Sequence, residues 1–166
     1  MLKIAVTGAT GMLGKALFEV LNASGCEYFP IDINRTGCDF LPMEVIDADI
    51  CDRAAISGAL KEIRPDCLIN CAAYTNVDGC ETEQDLAYAV NGDGAGNAAA
   101  AAREAGAALV HISTDYVFDG RKGIPYDEKD GTHPTSVYGK SKLKGEVAVA
   151  EEIRDYIIIR TAWLYG

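Results

Sequence analysis

The sequence predicts a doubly wound α/β fold, a Rossmann-like parallel sheet with helices on both faces in three αβα layers. Three observations predict it. Short β-rich apolar runs alternate with longer helical stretches. A glycine-spaced turn ends the first run and opens the first helix. The 166 residues, 49% of them hydrophobic, suffice for one ordinary core and are too few for two, so residues 1–166 read as a single domain.

The elements follow in order. Lys3 to Thr7, rich in β-formers, is the first strand, and Gly8 stops it. Met12 to Ala23 carries apolar residues at helical spacing. Glu27 to Ile33 is the second strand, and Glu44 to Asp47 a weaker third. Asp52 to Ile63 is a helix, Cys67 to Ala72 a strand, and Thr82 to Glu104 one long helix. Within that helix, Asn97 to Ala102 has no large side chain, so its backbone is expected to pack close to the sheet. Ala107 to Ser113 and Tyr156 to Thr161 are the last strands, flanking a helix at Ser136 to Ile153. The longest irregular stretch, Asp115 to Thr135, contains Gly120, Gly123, Pro125, Gly131 and Pro134 and is expected to border a site. No internal repeat or linker interrupts the pattern.

Composition excludes several classes. A formal charge of -10 with no basic patch opposes binding to nucleic acid or an anionic membrane. The N-terminal apolar run reaches Gly8 too soon to be a signal-peptide core or membrane span, so the protein reads as cytoplasmic. The cysteines at 26, 38, 51, 67, 71 and 80 show no Cys-x-x-Cys spacing and read as free thiols, with Cys67 and Cys71 in an apolar run. Neither histidine lies near a cysteine cluster, so no metal site is expected.

Gly8-Ala9-Thr10-Gly11-Met12-Leu13-Gly14 joins strand to helix. A dinucleotide pyrophosphate needs backbone N–H groups at a helix N-terminus and no side chain where phosphate approaches; Gly8 and Gly11 meet that need, while Gly14 lets helix and strand pack closely. Asp32 ends the second strand at about the offset where a carboxylate accepts from the adenosine ribose. Its charge favours NADH, and Arg35, three residues on, keeps NADPH open by offering a guanidinium to a 2′-phosphate. Asp49 and Ile50 suit the edge and face of an adenine, although Asp49 equally suits a helix cap ahead of Asp52.

Tyr138 and Lys142 stand four residues apart, hence on one helix face. A phenol of ordinary pKa holds its proton tightly at neutral pH, and the charge of the neighbouring Lys142 ammonium, with that of an oxidised nicotinamide, is expected to bring it toward working range. Ser113 and Thr114, at the C-terminal end of a strand, offer a hydroxyl for a substrate carbonyl. Asn91 in the long helix is a candidate to link Lys142 to solvent through water, and His111 reads as a core histidine.

Four stretches carry a family resemblance: Ile69 to Asp78 (INCAAYTNVD), His111 to Gly120 (HISTDYVFDG), Val137 to Glu146 (VYGKSKLKGE) and Ile159 to Gly166 (IRTAWLYG). Through them the chain resembles the extended short-chain dehydrogenase/reductases, and within these the dTDP-4-dehydrorhamnose reductases. The resemblance runs through essentially the whole chain. It implies Gly11, Met12 and Leu13 under the pyrophosphate, Asp32, Asp49 and Ile50 around the adenosine, and Ala72, Ala73, Tyr74 and Thr75 along the cofactor. It also implies that Thr114, Asp115 and Trp163 contact the sugar, that Tyr138 donates the proton, and that Lys142 tunes Tyr138 and holds the nicotinamide ribose. The implied reaction is hydride transfer from NADH or NADPH to the C4 carbonyl of dTDP-4-dehydro-L-rhamnose. Tyr116 stands where the related dehydratases carry a glutamate after Thr-Asp, which favours plain carbonyl reduction; epimerases and other nucleotide-sugar reductases stay open.

Family members continue into a smaller C-terminal region that clamps the nucleotide-sugar. The expectation is therefore a shortened reductase lacking most of that region, which binds dinucleotide with little turnover. Exposed apolar surface would favour self-association and leaves a homodimer open. The alternative class is a non-catalytic dinucleotide-binding regulatory subunit, but such a module has no physical use for Thr114, Tyr138 and Lys142 together.

Overall fold

The computed structural model describes residues 1–33 and 40–165; Arg35 and Cys38 lie outside the described residues. Six strands form one parallel sheet: β1 (Lys3–Thr7), β2 (Glu27–Asp32), β3 (Ile46–Asp47), β4 (Cys67–Asn70), β5 (Ala108–Thr114) and β6 (Tyr156–Thr161), in the order β3-β2-β1-β4-β5-β6. The helices are α1 (Met12–Ala23), α2 (Arg53–Ile63), α3 (Val77–Thr82), α4 (Gln84–Tyr88), α5 (Ala95–Ala105) and α6 (Val137–Glu152). The doubly wound architecture is as the alternation predicts.

Two cores explain the layers. Side chains alternate across a strand, so Ala5, Leu68 and Leu109 face one side with α2, α5 and α6, while Ile4 and Val6 face the other with Phe18 of α1. Ala98 to Ala102 are all buried, and α5 lies between α2 and α6. Without bulk beyond Cβ, that helix approaches the sheet closely, as its sequence suggests.

One row of polar residues crosses the first core. Thr7, Asn70 and His111 are register partners on β1, β4 and β5. The Thr7 hydroxyl donates to Asn70 Oδ1 at 2.6 Å, and Asn70 Nδ2 lies 3.0 Å from His111 Nδ1. Burial holds the His111 imidazole down to about 3, so it is neutral; its Nε2 has no partner among the described residues.

The long helix expected from Thr82 to Glu104 is corrected. Glu83 interrupts it, α3 precedes the break, and Ala89–Gly94 forms a wider π turn before α5. Neighbours pack close to this turn: a Cβ on Gly92 would fall 2.6 Å from the Lys144 side chain, and one on Gly94 would fall 2.9 Å from Ile50.

Candidate active site

Parallel strands leave their C-terminal ends facing one rim, and the chain reverses direction across the sheet between β1 and β4. Crevices form at such a switch point. A cleft of about 1010 Å³ opens here, a volume that suits a large ligand.

The glycine turn forms one end. Gly8 has φ +66, and a Cβ there would sit 2.7 Å from Ala72 N, so both conformation and space require glycine. A Cβ on Gly14 would meet Ala9 O at 2.5 Å, so its closest approach is to the turn and not to the strand. Gly11, Met12 and Leu13 line the cleft beside them. Helices α2 and α6 begin on the side-chain caps Asp52 and Ser136, whereas α1 begins on Gly11 with no side-chain cap. Its first N–H groups are therefore available to an anion in the cleft. A dinucleotide's diphosphate fits this cradle.

Asp32 lines the same wall and its Oδ2 accepts from both the amide and the hydroxyl of Thr10, at 3.0 and 2.8 Å. Thr10 was not singled out by the sequence; a hydroxyl within the glycine turn was the available signal. Asp49 and Ile50 also line the cleft. Asp49 accepts from Cys51 N at 2.8 Å and Asp52 caps α2, so the capping alternative for Asp49 is not the one adopted.

The far end holds the reactive groups. Thr114, Asp115, Tyr138, Lys142 and Trp163 all line the cleft, together with Ala72, Ala73 and Thr75. Lys142 is buried and donates from Nζ to the Ile112 carbonyl at 2.7 Å. Burial pulls its ammonium down to about 8, against the opposing pull of Glu146 and Cys71. Tyr138 is half-buried, and burial raises its phenol above the ordinary range while a hydrogen bond with Thr114 works the other way. The ammonium turns toward the β5 backbone, and among the protein's own groups desolvation dominates at the phenol. Tyr116 packs edge-on against Tyr138, with ring centres 5.6 Å apart, and lines the cleft as a further residue the sequence reading did not place in the site.

Tyr74 is the predicted cofactor residue, among those described, that the cleft wall does not include. Asn91 holds both its backbone groups, accepting from Tyr74 N at 2.8 Å and donating to Tyr74 O at 3.0 Å, while the phenol bonds Glu83. Asn91 also donates to Ser141 Oγ at 3.0 Å, so its amide is committed to the loop and not to Lys142. Ser113 turns to the opposite face from Thr114 and donates to Glu146 at 2.6 Å, whereas Thr114 lines the cleft and its hydroxyl accepts from Tyr116 N at 3.2 Å.

A family model described as the RmlD substrate binding domain matches residues 2–166. The chain belongs to the RmlD family. A dTDP-4-dehydrorhamnose reductase of Streptomyces griseus is 46% identical over 162 residues, covering 97% of this chain and 49% of that relative. A solved dTDP-4-dehydrorhamnose reductase of Clostridium acetobutylicum superposes with TM-score 0.89 at 44% identity, covering 99% of this chain and 55% of that one. The Bacillus anthracis enzyme of the same name, solved in complex with NADP, gives TM-score 0.89 at 43% identity over 100% of this chain and 55% of that one. The chain thus spans about half the length of these RmlD relatives, and within that half the resemblance seen in the four sequence stretches holds.

Proposed function

We propose that this chain forms the dinucleotide-binding and proton-donating half of a nucleotide-sugar reductase, of the kind that reduces dTDP-4-dehydro-L-rhamnose at C4 with NADH or NADPH. One observation carries the reading. A single cleft gathers an uncapped helix N-terminus and Asp32 at one end and Thr114, Tyr138 and Lys142 at the other. The NADP bound by the Bacillus anthracis relative supports the cofactor class.

The dinucleotide supplies hydride. Tyr138, a phenol protonated at neutral pH and raised further by its burial, is in the form required to give its proton to the carbonyl oxygen as charge develops there. Thr114 offers that same oxygen a hydrogen bond. Lys142 keeps a cation beside the site, from which it would hold ribose hydroxyls and favour the phenolate once the proton has left. Trp163, 82% exposed in the cleft wall, would pack against the sugar.

The free thiols among the described cysteines suit a reducing compartment, which favours the cytoplasm. Among the described residues no helix is long and apolar enough to cross a membrane. A homodimer is compatible with the edge strand β6, where Ile157 and Ile159 are exposed.

The test is single-turnover reduction of a dTDP-4-keto-6-deoxy sugar by an excess of polypeptide with NADPH, followed by product analysis. The 166-residue polypeptide should form product slowly, because exposed Trp163 faces open solvent, and Tyr138→Phe should form none. Equal product from Tyr138→Phe would remove the proton-donor role.

A further inference from the structure

The glycine turn and the end of β2 are joined at two points. Ala9 N donates to Ile31 O at 3.4 Å, and one residue further along both strands of this junction Thr10 donates twice to Asp32 Oδ2. Ala9 is fully buried beneath the turn. The segment that would cradle the diphosphate and the carboxylate that would meet the adenosine ribose therefore form one unit, with the Thr10 side chain as its movable tie.

That tie has an electrostatic consequence. Each donor withdraws negative charge from the carboxylate and occupies one of its lone pairs. A ribose bearing a free 2′-hydroxyl profits from an open, fully charged acceptor. A ribose bearing a 2′-phosphate is repelled by that same charge. Two donors on one oxygen weaken both effects together, and the second of them belongs to a side chain that substitution can remove.

From this arrangement we infer that Thr10 sets the cleft's tolerance for the 2′-phosphate, by tying down Asp32 and spreading its charge onto the turn. The inference rests on the reading of the cleft as a dinucleotide site. It makes Thr10 a positioning residue acting through Asp32, and it adds a determinant of NADH-against-NADPH preference to Asp32 and Arg35. Removing the hydroxyl takes one donor from Asp32 Oδ2 while the Thr10 amide stays on it, which strengthens NADH and weakens NADPH. Both changes move the ratio of dissociation constants the same way.

The experiment measures nicotinamide fluorescence as the 166-residue polypeptide and its variants are titrated with NADH and with NADPH. Thr10→Val keeps the β-branched shape and removes the hydroxyl. It should raise Kd(NADPH)/Kd(NADH) by about three- to tenfold. Thr10→Ser should restore the original ratio. In an Asp32→Asn background, where the charge is already gone, Thr10→Val should leave the ratio unchanged, so the coupling between the two positions is read directly.

A merely structural role predicts a different pattern: Thr10→Val weakens both dinucleotides in proportion, with the ratio unmoved, and that result overturns the inference. A shift of equal size in the Asp32→Asn background overturns it too, because the effect would not pass through the carboxylate. If the unsubstituted polypeptide binds neither dinucleotide, the cofactor reading itself falls and takes the inference with it. That outcome is visible before any variant is made.

Discussion

Lys142 places its ammonium 2.7 Å from the carbonyl oxygen of Ile112, on the strand it packs over, rather than on Tyr138 four residues before it on the same helix face. The backbone bond partly offsets the desolvation of a buried cation, and burial still dominates its titration.

The pH dependence follows from that burial. Lys142 titrates at about 8 in the folded protein against 10.5 ordinarily. Between those values the unfolded chain keeps a proton that the folded one has released, so this group makes stability rise with pH there, by about 3 kcal/mol in all. Cys71, raised to about 12 by burial, acts in the opposite sense above the ordinary thiol range. The difference between wild type and Lys142→Met in urea unfolding isolates the lysine. The variant should be the more stable at pH 7, and its advantage should shrink as pH rises from 8 to 10.

His111 predicts the opposite limb. Its folded value of about 3 lies below the ordinary 6.5, so the unfolded chain takes up a proton first as the solution is acidified. Its contribution is complete above about pH 6.5 and is lost at about 1 kcal/mol per pH unit below that. His111→Gln should show a correspondingly flatter decline between pH 6 and pH 4 when compared with wild type by denaturant unfolding.

Glu146 is the buried anchor of α6. Its carboxylate accepts from Ser113 at 2.6 Å and from Arg160 Nε and Nη2 at 2.9 and 2.6 Å, and Arg160 lies 5.0 Å over the Phe118 ring. Glu146→Ala leaves a partly buried guanidinium and a buried hydroxyl without their acceptor and should cost about 3 kcal/mol. Glu152→Ala, which breaks the exposed pair with Arg103, should cost under about 1 kcal/mol. Urea midpoints of the two variants check the contrast.

Two glycines of equal sequence weight should behave oppositely. A Cβ on Gly145 would fall 2.1 Å from Asn91 O, so Gly145→Ala must push α6 off the π turn, at about 1–3 kcal/mol and with weakened dinucleotide binding through displaced Lys142. Gly58, exposed within α2, has nothing within 4 Å of its added Cβ, and Gly58→Ala should stabilise by about 1 kcal/mol. Thermal melts distinguish the signs.

The legible and illegible parts of the sequence divide along local and tertiary causes. Strand–helix alternation, the Gly8–Gly14 turn, and Thr114 at a strand end are local patterns, and each reappears in the cleft wall. The i, i+4 spacing of Tyr138 and Lys142 put both on one face. It carried no information on which acceptor the lysine would reach, since Ile112 is brought beneath it only by sheet packing. The π turn at Ala89–Gly94 lies within a helical pattern, and Lys144 and Ile50, which pack close to it, come from distant segments. The resemblance implies Tyr74 beside the cofactor together with Ala73 and Thr75; Asn91 and Glu83, from other segments, hold its backbone and its phenol away from the cleft wall. Thr10 lay inside a recognised motif, but its bond to Asp32 spans the β1–α1–β2 unit and appears only once that unit is folded.

The central claim is that the cleft above β1 and β4 holds a nicotinamide dinucleotide. Titration of the 166-residue polypeptide with NADH and with NADPH, followed by nicotinamide fluorescence, tests it most directly. Saturable binding of at least one of them, weakened by an alanine at Gly8 where a Cβ would strike Ala72, is the predicted result. No saturable binding of either by the folded polypeptide would contradict it.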